Sequence, residues 1–173
     1  MERYVVIDTG LDGCALLVEK QENGSPVPLD YFLFKEAGWR DGIDPRAFEY
    51  VLSKWNVETF HVERVPIIPH NTKTLAKQFF IIGQIWSIIM FSSENVVIND
   101  FYPKTWQSHT RRHLRPSEAN LASKKQSQII SKLYFPEFFE SNKKRSNIHD
   151  GLADCLSMLL YVEREYFSQF VED

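Results

Sequence analysis

Acidic side chains occur at three points of the chain where they could hold a metal ion. Asp8 follows the apolar run Val5-Val6-Ile7, Glu63 follows a second short apolar segment, and Asp150 and Asp154 stand four residues apart. Carboxylate oxygens are the ligands that hard cations such as Mg²⁺ prefer. Two such ions, with Mn²⁺ as a possible replacement, can stabilise the attacking and leaving oxygens of a phosphoryl displacement. The residue types therefore favour metal-dependent phosphodiester chemistry.

The spacing of Asp150 and Asp154 places both carboxylates on one face of a helix. Two like charges at that spacing destabilise a helix by a few tenths of a kcal/mol, and a bound cation would offset the repulsion. Two plainer interpretations stay open at this point. Asp8 could be a turn residue only, and Asp150 could be a helix cap, because acidic residues favour helix N-termini.

These acids need a framework that brings their elements together. Apolar runs and alternation predict five strands, near residues 3–8, 14–18, 28–34, 59–63 and 96–98. Helical spacing predicts four helices, over about 45–55, 73–91, 117–134 and 148–170. Asp44 is the predicted N-cap of the first helix, with Pro45 at its first position. Gly10 and Gly13 suit a tight turn after the first strand. This order indicates one α/β domain over residues 1–173, with an antiparallel start and parallel later strands.

Composition limits the class of protein. The 173 residues are 43% hydrophobic and 25% charged, which is typical of a soluble globular protein. Cys14 and Cys155 lie far apart without a CxxC motif, so we expect reduced, buried thiols in an intracellular reducing compartment. The longest apolar stretch, Phe79 to Phe91, is interrupted by polar residues, and we expect it to be too short to span a membrane.

Basic residues are concentrated in the segment 101–147. The segment carries ten basic and three acidic side chains, so that it is +7 while the rest of the chain is −10 and the whole is −3. This asymmetry predicts a surface that faces a polyanion. The candidates for DNA binding are Lys104, Arg111, Arg112, Arg115, Lys143, Lys144 and Arg145. The pair His109-x3-His113 lacks further ligands nearby, and we interpret it as part of the same basic surface.

The motifs IDTGLDG, HVERV, FYPKTW, KKQSQIISKLYFP and HDGLADCLSMLLY, in this order over about residues 3–162, resemble the RuvC family of Holliday junction resolvases, particularly its phage-type members. The resemblance implies an RNase H-like (retroviral integrase superfamily) fold, a five-stranded mixed sheet flanked by helices. It also implies a homodimer that nicks four-way DNA junctions in pairs, without an organic cofactor. By matching motifs, Asp8, Glu63, Asp150 and Asp154 bind Mg²⁺, and Lys124 or Lys125 acts near the scissile phosphate. Such an enzyme would act in the cytoplasm or nucleoid, including that of a host cell if it is virus- or phage-encoded.

The chain departs from the family at an aromatic residue that acts at the junction centre. Pro66 stands in that place, three residues after Glu63, so Trp39, Phe101 or Tyr102 would have to take the role. In the bacterial enzymes the last two acids are three residues apart, whereas here they are four apart, which makes Asp154 a firmer match than Asp150. His149 could assist with water or phosphate, although a hydrogen-bonding role is the commoner one.

Four other functions share some of these features. Asp-Thr-Gly after an apolar strand also occurs in retroviral-type aspartic proteases, but those are all-β dimers without long helices. Actin-like sugar kinases begin similarly but need two such domains. A nuclease for RNA/DNA hybrids or other branched DNA, and a non-catalytic nucleic-acid-binding module, would share the RNase H-like fold, and the sequence separates them poorly.

Apolar residues surround the predicted helix over 73–91. Phe79, Ile82 and Trp86 could face the sheet, which leaves a second apolar stripe for the last helix or for a partner subunit. That second stripe comprises Phe80, Ile81, Ile88 and Phe91. Since one active site per chain must cut two strands of a two-fold symmetric junction, we expect a dimer.

Overall fold

The central strand of the sheet is β1, Glu2–Asp8, in a computed structural model that describes residues 2–10, 12–35, 44–64 and 72–167. The other strands are β2 (Cys14–Lys20), β3 (Pro26–Leu33), β4 (Thr59–Glu63) and β5 (Val97–Phe101). Their order across the sheet is β3-β2-β1-β4-β5. The first three strands are antiparallel, whereas β4 and β5 run parallel to β1. The predicted five-stranded mixed sheet is therefore confirmed.

Side chains of β1 are buried on both faces of the sheet. Tyr4 and Val6 belong to one apolar core, and Val5 and Ile7 belong to the other. This is the environment that a run of β-branched residues favours. The two faces are covered by different helices, so β1 contributes side chains to both cores of the domain.

Seven α-helices occur in the described part of the chain, more than the four that the sequence predicts. They are α1 (Pro45–Trp55), α2 (Thr72–Ser92), α3 (Pro103–Arg111), α4 (Pro116–Ala119), α5 (Ser123–Tyr134), α6 (Pro136–Asn142) and α7 (Asp150–Val162). A π-helical turn, Glu163–Phe167, continues α7. We predicted neither α3 nor α6, and the single helix over 117–134 is two helices that break near Asn120. Proline at the first position of α3, α4 and α6 explains why each begins where it does.

The start of α1 confirms the predicted cap. The side chain of Asp44 accepts hydrogen bonds from the backbone N–H groups of Arg46 and Ala47, at 3.0 and 3.2 Å. Phe48, Leu52 and Trp55 then pack against the sheet beside α2. The two cysteines are also as predicted, because Cys14 and Cys155 are free and buried.

Helix α2 differs from two of our expectations. Ile81, Ile85 and Ile89 face the sheet, whereas Phe79 is nearly half exposed. The face assignment from sequence was wrong because a helix that is apolar all round gives no signal for which stripe is covered. Residues Leu75–Ser92 are also long and apolar enough to cross a membrane by length and composition, contrary to our expectation. One such helix is weak evidence for a span, since helices of soluble proteins pass the same test.

Candidate active site

The register of two parallel strands places Asp8 beside Glu63. Ile7 pairs with Val62, so that the residue that follows each of them lies at the same edge of the sheet. Their side chains point to the face that α7 covers, because they share the alternation of Tyr4 and His61, whose rings contact one another on that face. The predicted juxtaposition of Asp8 and Glu63 is therefore present.

Both carboxyl groups are held by specific donors in a poorly solvated position. The backbone N–H of Gly10 donates to Asp8 Oδ1 at 2.8 Å, and the indole Nε1 of Trp106 donates to Glu63 Oε1 at 2.7 Å. Burial raises the pKa of Asp8. Burial, followed by the charge of Asp8, raises the pKa of Glu63 well above its usual range. Neither group is stable as an isolated anion in this pocket.

Asp154 on α7 belongs to the same cluster. Ser127 Oγ donates to Asp154 Oδ1 at 2.5 Å. Burial and then the charge of Asp8 raise the pKa of Asp154 to about 7. Besides burial, the charge of Asp8 thus raises the pKa of both Glu63 and Asp154, and the charge of Asp154 raises that of Glu63, so that the cluster binds protons, or a cation, more tightly than separate carboxylates would.

Two glycines let α7 approach the turn between β1 and β2. A side-chain carbon at Gly151 would lie 2.3 Å from the carbonyl oxygen of Asp12, and one at Gly13 would lie 2.2 Å from the carbonyl oxygen of Asp8. Only glycine fits such close backbone contacts. His149 is the cap of α7, because its Nδ1 accepts from the backbone N–H of Gly151 at 3.2 Å. The alternative that Asp150 caps this helix is therefore wrong.

Asp150 stands apart from Asp8, Glu63 and Asp154. Its Oδ2 accepts a hydrogen bond from Lys124 Nζ at 2.8 Å, and both side chains are substantially exposed. Lys125 is exposed on α5 as well. Of the two candidate lysines, Lys124 is the one that contacts a member of the acidic set.

The donor set fits a divalent cation. Carboxylate oxygens dominate it, and burial, followed by the charge of Asp8, raises the pKa values of Glu63 and Asp154. Among the described residues, no three acidic, histidine or cysteine side chains stand close enough together to hold a metal as they are. The charge of Asp8 nonetheless raises the pKa of both Glu63 and Asp154, so the three carboxyl groups lie within electrostatic reach of one another.

The predicted basic surface is exposed, with one correction. All seven candidate DNA-binding side chains are solvent-exposed, namely Lys104, Arg111, Arg112, Arg115, Lys143, Lys144 and Arg145. His109, by contrast, is buried, and its Nε2 lies 3.1 Å from Nε2 of His113. The interpretation of this pair as basic surface was wrong, since burial lowers the pKa of His109 to about 4 and keeps the ring neutral.

The candidates for the aromatic role at a junction centre differ in solvent exposure. Phe101 is only 4% exposed and belongs to the core, so it cannot contact DNA, whereas Tyr102 is 53% exposed. Trp39 and Pro66 lie outside the described residues.

Three residues of the site were missed from the sequence. Trp106 and Ser127 hold the acids, and Arg64 follows Glu63 at the same sheet edge. Trp106 lies in the motif FYPKTW and Ser127 in KKQSQ, but only the position of α3 and α5 beside the sheet gives them these partners.

Comparison with solved structures identifies proteins that share the fold. Thermus thermophilus RuvC has a TM-score of 0.59 at 15% identity, covering 94% of this chain and 96% of that one. The yeast mitochondrial Holliday junction resolvase Ydc2 has a TM-score of 0.58 at 12% identity, covering 95% and 81%. The fowlpox virus Holliday junction resolvase has a TM-score of 0.52 at 12% identity, covering 94% and 98%. No protein-family model and no curated protein sequence matches the chain. The fold that the sequence motifs implied is thus confirmed.

Proposed function

We propose that the chain is a metal-dependent endonuclease that resolves four-way DNA junctions. The observation that carries this proposal is the cluster of Asp8, which is buried, with the part-buried Glu63 and Asp154, at one edge of a sheet whose fold is that of RuvC. One of the similar structures is T. thermophilus RuvC in complex with a Holliday junction substrate, and another is the fowlpox resolvase with Holliday junction DNA.

Asp8, Glu63, Asp154 and Asp150 would hold the cation, with Mg²⁺ and Mn²⁺ as the candidates and two ions as the expected number. Bound there, the ions would supply the positive charge that stabilises the attacking and leaving oxygens of a phosphodiester. The buried position of the acids favours this role, because a dry, low-dielectric site strengthens the attraction between cation and phosphate.

Residues of the chain itself orient these ligands. Trp106 fixes the rotamer of Glu63 through the indole hydrogen bond, and Ser127 fixes that of Asp154. Lys124 is the proposed cation beside the scissile phosphate, since its ammonium binds Asp150 and its side chain is exposed enough to turn towards DNA. Lys125 and His149 take no proposed chemical step.

The exposed basic residues of the segment 101–147 would contact DNA phosphates. Arg111 and Arg112 end α3, the same helix whose Trp106 holds Glu63. Phosphate contacts position a nucleic acid without reading its sequence. A basic surface that continues from the acidic site is thus suited to hold the arms of a junction around the bond to be cut.

A second copy of the chain is the proposed partner of α2. Phe80, Met90 and Phe91 are more than half exposed on this helix, although its other side is anchored in the core. Contiguous exposed apolar side chains on a helix mark an interface. A two-fold dimer would present two acidic sites to the two strands of like polarity in a junction.

The decisive experiment compares cleavage of a synthetic four-way junction, a plain duplex of the same sequence and an RNA/DNA hybrid, with and without Mg²⁺. We expect cleavage of the junction alone, at symmetric positions and only with the metal. Preferential cleavage of the hybrid would replace the proposal with the RNA/DNA nuclease. Junction binding without cleavage in Mg²⁺ or Mn²⁺ would leave a non-catalytic nucleic-acid-binding module.

A further inference from the structure

A cavity of about 960 Å³ lies towards the strand ends that are opposite to the acids. Its floor is the sheet face on which α7 packs, continued to the starts of β4 and β5, where four side chains line it: Thr59, His61, Val97 and Asn99. The π-helical turn Glu163–Phe167 contributes the opposite side of the cavity, because α7 ends at Val162. The cavity therefore lies at the end of α7, whereas Asp154 lies near its start.

His61, in the floor of this cavity, is a buried side chain whose polar atoms are unsatisfied. It is only 1% exposed, and within the described part of the chain neither Nδ1 nor Nε2 has a hydrogen-bond partner. Burial lowers the pKa of His61 to about 4, so the neutral ring offers one donor and one acceptor. Unpaired polar atoms in a protein interior are destabilising and uncommon. A phenylalanine ring would fill the same space without that penalty, so the two nitrogens point to a ligand.

Two aromatic rings of the π-helical turn stand beside His61. The ring centre of Tyr166 lies 4.8 Å from that of His61, and the ring centre of Phe167 lies 6.0 Å from it. Phe167 is fixed on its other sides, because Lys20 Nζ lies 3.9 Å from its ring centre and the Tyr4 ring packs on it at 5.0 Å. Tyr166 is the ring nearest to His61, and π-helical turns occur frequently at functional sites. The cavity thus has flat aromatic walls.

The charged side chains of the cavity balance one another. Glu163 anchors the π-helical turn to the sheet, since Tyr4 Oη donates to its Oε1 and Lys20 Nζ lies 3.7 Å from its Oε2. The charged members of the lining are two bases, Lys20 and Arg164, and two acids, Glu2 and Glu163. A lining without excess charge favours a ligand that is itself uncharged.

Asn99 adds a hydrogen-bonding group beside His61. The two residues pair in register between the parallel strands β4 and β5, so that their side chains lie on the same face of the sheet. A side-chain amide has a donor and an acceptor next to each other, and the edge of adenine with its N6 amino group and N7 is the base edge that an asparagine matches with two hydrogen bonds. Flat aromatic walls suit a flat base. An uncharged adenine compound therefore satisfies the floor, the walls and the charge balance together.

We infer that this cavity binds an adenine nucleoside. Asn99 pairs with N6–H and N7 of the base, and Phe167 forms a wall against the flat face of the ring. Tyr166 gives way so that the base reaches His61, whose imidazole then forms the hydrogen bond that it lacks. The inference does not depend on the proposed junction cleavage, because the cavity and the acids lie towards opposite ends of the strands.

Isothermal titration of the full-length chain with adenosine and with 7-deazaadenosine, which has a C–H group in place of N7, tests this inference. We expect adenosine to bind with a Kd below about 1 mM. The 7-deaza compound should bind the wild type about fivefold more weakly, and Asn99→Leu should bind both compounds equally weakly, because the amide that distinguishes them is gone. His61→Phe should weaken adenosine binding about fivefold while its melting temperature stays the same or rises, since the unpaired nitrogens are removed.

Asn95→Leu is the matched control, because it makes the same chemical change at an exposed turn residue just before β5. This variant should bind adenosine as the wild type does. Absence of adenosine binding at 1 mM would overturn the inference. So would adenosine binding that Asn99→Leu and His61→Phe both leave unchanged, since His61 would then be a plain core residue. Junction cleavage in Mg²⁺ is measured separately, so a chain that cuts junctions without binding adenosine refutes this site and leaves the nuclease standing.

Discussion

Helices α7 and α2 pack on opposite faces of the same sheet, and they differ in how much of their own surface is buried. Nine of the 13 residues of α7 are buried, and the helix packs in the core that β1 shares with α3 and α6. In α2, only 17% of the window Leu75–Ser92 is buried, and Phe91 is 90% exposed. Both helices are rich in apolar residues, but within the part of the chain that the structure describes only α7 is largely buried.

This difference assigns a separate task to each helix. The tight packing of α7 fixes Asp154 in a buried position against Asp8, where the repulsion of the acids is offset by the stability of the surrounding core. The exposed side of α2 does not pack in that core. Contact of its apolar side chains with water is unfavourable. We therefore expect substitutions on α7 to act on chemistry and folding, and substitutions on the outer side of α2 to act on association.

The largest effect is expected at the acids. Asp8→Asn removes the charge at the centre of the cluster while keeping its shape, and we expect the cleavage rate in Mg²⁺ to fall by about a thousandfold or more. Junction binding in EDTA should change little, because phosphate contacts dominate affinity. Glu22→Gln, at an exposed acid far from the site, is the control in the same gel assay. Full activity of Asp8→Asn would refute the site.

A pair of core and surface truncations compares the two helices directly. Leu156→Ala, at a fully buried position of α7, should lower the free energy of unfolding by about 2 to 5 kcal/mol, because the deletion leaves a cavity. Phe91→Ala on α2 should change the unfolding of the monomer by less than about 0.5 kcal/mol. Urea denaturation at low protein concentration measures both. A large loss for Phe91→Ala under these conditions would mean that the α2 surface is part of the monomer's own core.

The pKa of Asp154 gives α7 a stability that depends on pH. Its folded value of about 7 lies above the ordinary 3.8, so the folded chain binds a proton that the unfolded chain releases between these values. The contribution of Asp154 to the stability of the metal-free protein should therefore be fully present below about pH 4 and be lost as the pH rises through 7. Asp154→Asn should remove this slope and stabilise the metal-free protein at pH 8 by about 1 to 4 kcal/mol, at about 1.4 kcal/mol per pKa unit.

Thermal unfolding in EDTA between pH 4 and pH 8 measures this slope. Addition of Mg²⁺ should restore stability to the wild type at pH 8 but not to Asp154→Asn, because only the wild type offers the carboxylate. If both proteins showed the same dependence on pH, Asp154 would not titrate in this range.

The sequence predicted best where the pattern is local. Thr59–Glu63 matches the predicted strand at both ends, and Asp44 caps α1 as its position before Pro45 indicated. The acids at strand ends followed from the same reasoning. A strand's polar end residue is visible in sequence, and the parallel pairing of β1 with β4 brings two such residues together.

What the sequence did not predict depends on packing between distant elements. Helix α3 is nine residues long and its buried side chains are Trp106, His109 and Thr110, which give no clear apolar periodicity. The roles of Trp106 and Arg64 arise only once β5 lies beside β4. The covered stripe of α2 was assigned incorrectly because all of its sides are apolar, so that the pattern carries no information on which side meets the sheet.

Association through α2 is the next prediction. We expect the wild type to sediment as a dimer at micromolar concentration, and Phe80→Asp and Phe91→Asp to sediment as monomers, because each places a charge in the apolar contact. Leu156→Val on α7, which removes one methylene group from the core, is the control that should remain dimeric. A monomeric wild type, free and bound to a junction, would exclude paired nicking. Flotation of the wild type with lipid vesicles, abolished by Phe91→Asp, would show that α2 contacts a membrane instead.

The smallest effect is expected on the basic side of the molecule, on α3 beside α7. Log affinity for a junction should fall linearly with log salt, because bound arginines release counterions from DNA. Arg112→Gln should weaken binding to junctions of every sequence alike and lower that slope by about 1, the value for one lost phosphate contact. Phe91→Ala, measured at concentrations where the dimer persists, should leave the slope unchanged, since α2 is the apolar side. Arg112→Gln could instead leave both the affinity and the salt slope unchanged while Phe91→Ala altered them. DNA would then bind on the face of α2, and α2 rather than the α7 side would be the DNA-binding side of the molecule.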